Sequence, residues 1–211
     1  MNILVLETTL GGLSLALGRG DGPSFARRTD EPRSSSQLHP LLADLLDEAQ
    51  VKPDEIHTLG VSIGPGSFTG ARVAVAVAEA WGLAQPQCRL VGLQTLPLVA
   101  KELGTRNQAR GPFRVLTDAA GGMVYGQDFS PTGQALAAAF CVPLAAGLAT
   151  PLPVVAANLP LVDAALQVGQ LSPAALLAGL EDPACHAPLV AVYLKPLAYQ
   201  ERATRPIQHA D

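Results

Sequence analysis

The stretch "GVSIGPGSFTGARVAVAVAEAWGLA", residues 60–84, restricts what this chain can fold into more than any other. A short apolar run reaches a turn of Gly64, Pro65 and Gly66, and a helix-length run follows in which Arg72 and Glu79 are the only charges between Gly70 and Ala84. Gly64 and Gly66 permit backbone conformations closed to other residues, and Pro65 stiffens the turn. Ser67 or Thr69 can cap the helix by accepting from its free N–H groups, with Gly70 in its first turn. The expected order is strand, glycine turn, helix. A helix needs one apolar stripe to cover its own sheet, whereas Val73, Ala74, Val75, Ala76, Val77, Ala78, Ala80, Trp81 and Leu83 occupy most of this circumference. A second face is therefore expected to be covered, by another lobe or by another chain. Faces rich in valine and alanine allow close approach, and ridges-into-grooves packing suits a partner helix of like kind.

The turn itself admits several chemistries. A Walker loop needs a lysine after its last glycine to reach the phosphates, but Ala71 and Arg72 follow Gly70, so that reading fails. A dinucleotide fingerprint needs an acid at the end of the next strand, and "RLVGL" (89–93) ends without one. The pattern G-x-S-x-G occurs at Gly60–Gly64, with Asp163 or Asp182 and His186 or His209 downstream in hydrolase order. A nucleophile elbow, however, sets its serine on the sharp turn with the helix immediately behind. Ser62 is read here as still within the strand, which makes a serine hydrolase a secondary reading. As a structural turn, the segment still offers a helix N-terminus that attracts anions.

Around this centre the chain alternates. "NILVLET" (2–8), "LSLALG" (13–18) and "PSFARRT" (23–29) read as an antiparallel meander, separated by Gly11-Gly12 and by Gly20-Asp21-Gly22. Ser34, Ser35 and Ser36 offer caps for a helix in which Leu38, Leu41, Leu42, Leu45, Leu46 and Ala49 recur at helical spacing. "HTLGVSI" (57–63) and "RLVGL" are further strands, giving the order β-β-β-α-β-α-β, a mixed sheet with helices on its faces. The second half echoes the first: "ETTLGGLSLAL" from Glu7 and "DAAGGMVYGQDF" from Asp118 each place an acid at a strand end, two small residues, a Gly-Gly turn and an outgoing strand. Strand-like "PVVAAN" (153–158) and helical stretches near 159–168 and 173–179 follow. Duplication and convergent turn chemistry both account for the echo. Two lobes of similar plan are expected, with a boundary near 104–111, so that 1–104 and 105–211 form the two domains.

Composition narrows the function classes. A length of 211 residues suits one large domain or two lobes, and a net charge of -4 argues against a protein devoted to gripping a polyanion. The small groups Arg27, Arg28, Arg33 and Arg106, Arg110, Arg114 read as solvated faces. Cys88, Cys141 and Cys185 are widely spaced with no C-x-x-C, which points to neither a disulfide framework nor a zinc site and to a reducing compartment. No apolar run approaches a membrane span, and a cytoplasmic location is expected.

"ILVLETT", "SQLHPLLADLLDEAQVKPDEIHTLGVSIGPGSFTGARVAVAVAEAWGLA" and "LVGLQTLPLVA" together resemble the TsaB (YeaZ) family, the dimerization subunits of the bacterial machinery for threonylcarbamoyladenosine at position 37 of tRNA. "TDAAGGMVYGQ" and "AVYLKPLA" are similar to a strand and a late Tyr-Leu-Arg of that family. The resemblance implies an α/β fold of two ribonuclease-H-like lobes of the actin, sugar-kinase and Hsp70 type, with mixed sheets flanked by helices. It also implies that the helices after Ser36 and after the glycine turn pair with the same helices of a second subunit. That subunit is a copy of the chain when it is alone, or the catalytic paralogue TsaD, with the ATPase TsaE as companion and tRNA reached only through the complex. The contact residues are then Leu38, Leu42, Leu45, Phe68, Arg72, Val75, Ala76 and Glu79, with Gly64, Pro65, Gly66, Ser67, Thr69 and Gly70 building the turn. The H-x-x-x-H metal pair of the catalytic paralogue corresponds here to Thr95 and Val99, and neither binds a metal as imidazole does. His39, His57, His186 and His209 have no ligand spacing. The first nucleotide loop of the wider class, D-x-G-T, reads Glu7-Thr8-Thr9-Leu10, where β-branched Thr9 crowds a phosphate. Neither catalysis, metal nor cofactor is expected of the chain, and an ATP-dependent small-molecule kinase of the same fold class is the alternative. The chain departs from the family at Ala120 and Met123, where relatives carry Arg and Glu, and only 16 residues follow Lys195, leaving little room for a closing helix.

Overall fold

A computed structural model of the protein describes residues 1–20, 22–30, 34–159, 162–164, 166–192 and 194. Arg33, His209, most of "AVYLKPLA" and the segment after Lys195 thus lie outside the described residues. Strands β1 (Asn2–Glu7), β2 (Leu13–Arg19) and β3 (Ser24–Thr29) form the expected antiparallel meander. Helix α1 (Leu38–Ala49) comes next, then β4 (Ile56–Gly64), α2 (Phe68–Ala84) and β5 (Arg89–Gln94). β4 pairs parallel with β1, and β5 parallel with β4. The sheet runs β3-β2-β1-β4-β5, with a short strand from far along the chain added at the β5 edge.

Helix α3 (Thr95–Thr105) leads to the second half, where β6 (Phe113–Asp118), β7 (Met123–Phe129) and β8 (Phe140–Pro143) form another antiparallel meander. The short helix α4 (Leu144–Leu148) precedes β9 (Val154–Ala157) and β10 (Leu166–Val168), parallel partners that complete a sheet ordered β8-β7-β6-β9-β10. Both sheets therefore place their first strand in the middle, their second and third antiparallel on one side and their fourth and fifth parallel on the other, the ribonuclease-H arrangement made twice. The turn chemistry repeats as well. Glu7 accepts from the N–H of Thr9, and Asp118 accepts from the N–H of Ala120, each two residues on.

The chain then returns to the first sheet. Helix α5 (Pro173–Glu181) packs on β1, β2 and α3, and β11 (His186–Ala187) pairs with β5. β1 is buried on both sides, which is why its sequence is a continuous apolar run instead of an alternation. Leu4 and Leu6 join Leu45, Leu46, Ala74 and Ala78 beneath α1 and α2, while Val5 points the other way into a core shared by α3, α5 and the second sheet. Helix α3 thus touches strands of both sheets, with α5 packed beside it on the first. Glu102, fully buried on α3, accepts from the N–H of Ser172 at the cap of α5 (2.7 Å) and from Arg106 (2.6 Å). Lys101 of the same helix pairs with Asp182 just beyond the end of α5, holding that carboxyl below its usual range.

Two local expectations are overturned. The backbone of Ser34–Gln37 forms a 3₁₀ turn, and the cap residue of α1 is Gln37 in place of an expected serine, with no side-chain capping bond from Gln37. A 3₁₀ turn running into a helix presents carbonyls to the first N–H groups, so a side-chain acceptor is not required. The stretch 159–168, expected to be helical, ends in strand β10, because the open edge of β9 offers backbone partners; Asn158 N–H donates to Val168 O at 2.9 Å. Local propensity loses to that pairing.

The glycines of the first lobe are unequal in consequence. A Cβ on Gly70 would overlap the Thr8 carbonyl, whereas one on Gly104, in the last turn of α3, meets nothing within 4 Å. Gly70→Ala is expected to destabilise the protein by about 2 kcal/mol or more through forced displacement of the α2 N-terminus. Gly104→Ala should be neutral or stabilise by up to about 1 kcal/mol, as removal of chain entropy predicts. Urea unfolding of the two variants checks the contrast.

Candidate functional site

The glycine turn delivers α2 directly onto the end of β1. Gly64 has φ +101° and joins Pro65 through a cis peptide. Gly66 lies so close to the Thr9 carbonyl that a Cβ there would be 2.5 Å from its oxygen, and the next N–H, of Ser67, donates to that oxygen at 2.8 Å. Ser67 is the cap, its hydroxyl accepting from Gly70 N–H at 3.1 Å; Thr69 is exposed. Thr8 closes the other side, its hydroxyl donating to Gly70 O at 2.8 Å. Of the six residues expected to build the turn, Gly66, Ser67 and Gly70 thus meet Thr8 or Thr9.

Beneath that contact lies a sealed polar centre. The Glu7 carboxylate, 1% exposed, accepts from Thr9 N–H (2.5 Å), the Thr9 hydroxyl (2.6 Å) and Leu10 N–H (3.1 Å), and from the hydroxyl of Ser62. Ser62 in turn accepts from Thr8 N–H at 3.0 Å, and Thr9 Oγ1 meets Thr95 Oγ1 at 2.6 Å. Thr95 and Val99 are both fully buried on α3, so these positions serve packing and this hydrogen-bond chain. Ser62 lies inside β4, fully buried, not on the turn, and no described histidine bonds to it. The geometry of a nucleophile elbow is not formed there. His57 accepts from Asn2 N–H, His186 bonds the Leu180 carbonyl, and His39 lines a groove on the opposite side of the sheet. Between the two halves of the chain, Asn158 packs its amide against Gly11, and Gln170 donates to Thr29 O at 3.0 Å.

The outward side of α2 differs in kind. Only Ala71, Ala74 and Ala78 are buried along the helix, a stripe just wide enough to meet the sheet. The rest lies partly or wholly open: Phe68, Arg72, Ala76, Glu79, Ala80 and Leu83 are exposed, and Val73, Val75, Val77 and Trp81 half-buried. Between this face and α1 runs an apolar groove of about 490 Å³, lined by Leu38, His39, Leu42, Val73, Ala76, Val77, Ala80, Trp81 and Ala84. Of the residues expected at a contact, Leu45 is wholly inside the core and Leu38 nearly so, Leu42 lines the groove, and Val75 sits at the margin where α2 meets its own lobe. Groove residues Trp81 and Ala80 went unassigned, although their apolar character at helical spacing was the available signal. Among the described residues, Arg27 pairs with Glu48, Arg106 with Glu102, and Arg114 with Asp128.

Burial without a cationic neighbour pushes the Glu7 carboxyl above its ordinary range, against the pull of its four donors. A carboxyl whose folded-state value is raised stabilises the fold only while protonated, so its contribution is lost as pH rises from the usual carboxylate range through the raised value. Glu7→Gln retains the acceptor for Thr9 and Leu10 and removes the charge. The stability of Glu7→Gln relative to the parent should therefore increase with pH across that window and then level off, as followed by urea unfolding in buffers from acidic to mildly alkaline. A pH-independent difference would contradict the raised value.

Among the described residues no helix is long and apolar enough to cross a membrane. The protein-family model described as TsaD: tRNA N6-adenosine threonylcarbamoyltransferase matches residues 26–174, well over half of the chain. The chain is 32% identical over 132 residues to the tRNA threonylcarbamoyladenosine biosynthesis protein TsaB of Escherichia coli (strain K12), covering 61% of this chain and 55% of that protein. It is 30% identical over 103 residues to the protein of the same name from Bacillus subtilis (strain 168), covering 46% and 43%. The chain thus spans about half the length of the curated relatives it matches. Among solved structures, YeaZ from Pseudomonas aeruginosa superposes with a TM-score of 0.74 over 92% of this chain and 99% of that one at 23% identity, a likeness of fold. Sequence and fold together place the chain in the TsaB (YeaZ) family, within the reach of the TsaD family model.

Proposed function

We propose that the protein is a non-catalytic partner subunit in the N6-threonylcarbamoylation of adenosine 37 of tRNA, binding a TsaD-type catalytic paralogue and supporting its activity. The observation that carries this reading is the contrast within one helix. The N-terminus of α2 closes off the centre where the fold class does its chemistry, while the outward face offers an apolar groove. A phosphate approaching the β1–β2 turn would have to displace Thr9, which is held by Glu7, Thr95 and Ser67 at once. That arrangement favours a scaffold over the small-molecule kinase. The names borne by the relatives from Escherichia coli and Bacillus subtilis agree with a role in the same modification.

In this proposal residues 1–104 form the lobe that carries the contact helices α1 and α2, and 105–211 the smaller second lobe. The partner on the groove is a TsaD-type paralogue in the working complex and a copy of the chain when it is alone. The ATPase TsaE joins as a companion, and tRNA is engaged through the complex, in the cytoplasm. A stable contact buries roughly 1,200–2,000 Å² in total, a size that two helices from each chain can supply.

Ala76 is the position at which to break the contact, because it is exposed on the groove, whereas Val75 also packs against the core. Ala76→Arg should leave the monomer's thermal transition within a degree or two. It should weaken association by about 3 kcal/mol or more by placing an uncompensated charge in an apolar contact. Light scattering reads the association. Reconstitution with the TsaD-type paralogue, TsaE, threonylcarbamoyl-adenylate and unmodified tRNA reads the function: modified adenosine should form with the parent chain, and not without it or with Ala76→Arg. Equal formation of modified adenosine without the chain would overturn the proposal.

A further inference from the structure

Helix α5 is short for the sheet it covers. It has nine residues, as β4 does, but nine residues of helix rise only about 14 Å where nine of strand span about 30 Å. It settles close to the first sheet because Gly60 of β4 carries no side chain: a Cβ there would stand 2.9 Å from Leu180. The helix ends at Glu181, before the sheet does. Beyond Gly60, Ile3, Thr58 and Arg89 lie in register across β1, β4 and β5, on the face that α5 covers. The chain leaves α5 through the 3₁₀ turn Pro183–Cys185 and returns as β11 along the edge of β5. Sheet, helix end and returning chain enclose a pocket of about 270 Å³, on the opposite face of the sheet from the α1–α2 groove.

The lining of this pocket is polarised. Arg89 and Glu181 bring opposite charges from two elements, and among the described residues neither enters an ion pair or a side-chain hydrogen bond. Thr58 is only 7% exposed, yet its hydroxyl has no partner among the described residues. A polar group so nearly enclosed ordinarily has one. His186 is committed on one side, with Nε2 2.8 Å from Leu180 O; a carbonyl only accepts, so Nε2 carries the proton. Nδ1 of the neutral ring is then an acceptor. Ile3, Val91 and Leu180 make the rest of the wall apolar.

We infer that this pocket binds a free α-amino acid with an apolar side chain. Arg89 takes the carboxylate, for which a guanidinium offers a matching fork of donors, and the Thr58 hydroxyl donates beside it. Glu181 takes the ammonium, at the negative end of the α5 dipole, where Nδ1 of His186 supplies a further acceptor. The side chain of the ligand lies against Ile3, Val91 and Leu180. A zwitterion answers both charges at once, whereas a simple anion is repelled by Glu181 and a simple cation by Arg89. Nucleotides are disfavoured twice, by the charge of Glu181 and by a volume of about 270 Å³, below the roughly 300–1,000 Å³ of pockets that enclose drug-sized ligands. The inference stands independently of the groove and its occupant.

The test is titration of the full chain with L-leucine, read by calorimetry and by amide chemical shifts, beside two analogues: leucinamide, which lacks the carboxylate, and 4-methylpentanoate, which lacks the ammonium. L-Leucine should bind with a Kd of about 1 mM or tighter and shift the amides of Thr58, Arg89 and Glu181. Each analogue should bind at least about tenfold more weakly, since each forfeits a charged hydrogen bond. Arg89 and Glu181 are exposed, so Arg89→Gln and Glu181→Gln should keep the parent's thermal transition while weakening leucine by about tenfold or more. The pairing of groups is read from the cycle. The loss on going from leucine to leucinamide should shrink to within about threefold in Arg89→Gln, and the loss to 4-methylpentanoate likewise in Glu181→Gln. No binding of leucine at about 10 mM, equal affinity for leucine and both analogues, or unchanged affinity in both variants would overturn the inference. Binding with the losses assigned to the wrong residues would overturn the placement of the two charged groups.

Discussion

The structure depends on the close approach of two backbones: the glycine turn that starts α2 and the end of β1 at Thr8 and Thr9. Gly66 and Gly70 have no side chain where Thr9 and Thr8 carbonyl oxygens stand, and that absence lets the helix dock with its first turn against the strand. Ser62, Thr9 and Thr95 are thereby gathered around Glu7 from three different elements. A buried carboxylate without a cation is tolerated only when its oxygens are well supplied with donors, and here two N–H groups and two hydroxyls serve it. The same docking fixes the rotation of α2 about its axis. Ala71, Ala74 and Ala78 face the sheet, Val73, Val75, Val77 and Trp81 pack at the margin of the core, and Phe68, Ala76, Ala80 and Leu83 stay exposed.

The second constraint is the helix pair α3 and α5. Each sheet repeats one strand order, but the lobes are joined by more than a linker, because α5 follows the last strand of the second sheet and packs on the first. Glu102 and Lys101 bind α3 to the start and end of that returning helix. Asn158 against Gly11 and Gln170 on Thr29 add further contacts between the second half of the chain and the first.

How far the sequence foretold this differs from element to element. The first three strands, α1, β4, α2 and β5 were legible because period, punctuation and length agreed. The Glu7 and Asp118 echo was legible as a pattern, and the repeated strand order makes it a structural duplication. Helix α3 was not recognised, since Pro97 interrupts its apolar run; eight of its residues are buried because sheets lie on both sides. Strands β10 and β11 are three and two residues long and exist only because the edges of β9 and β5 offer partners. Leu45, expected at the contact, lies wholly in the core, because periodicity places a residue on a face without saying how deeply that face is covered.

By itself the sequence determined that a glycine turn would join a strand to a helix too apolar for one sheet, and that its four histidines have no ligand spacing. Those are statements about residue type and spacing, which the chain carries locally. Only the tertiary structure decided that Glu7 would be enclosed by Ser62, Thr9 and Thr95, that α3 would touch both sheets with α5 beside it, and which side of α2 would remain open. Such outcomes depend on contacts between residues tens of positions apart, which local periodicity does not encode. They are settled when burial of one face of each helix against its sheet leaves the other face to solvent or to a neighbour.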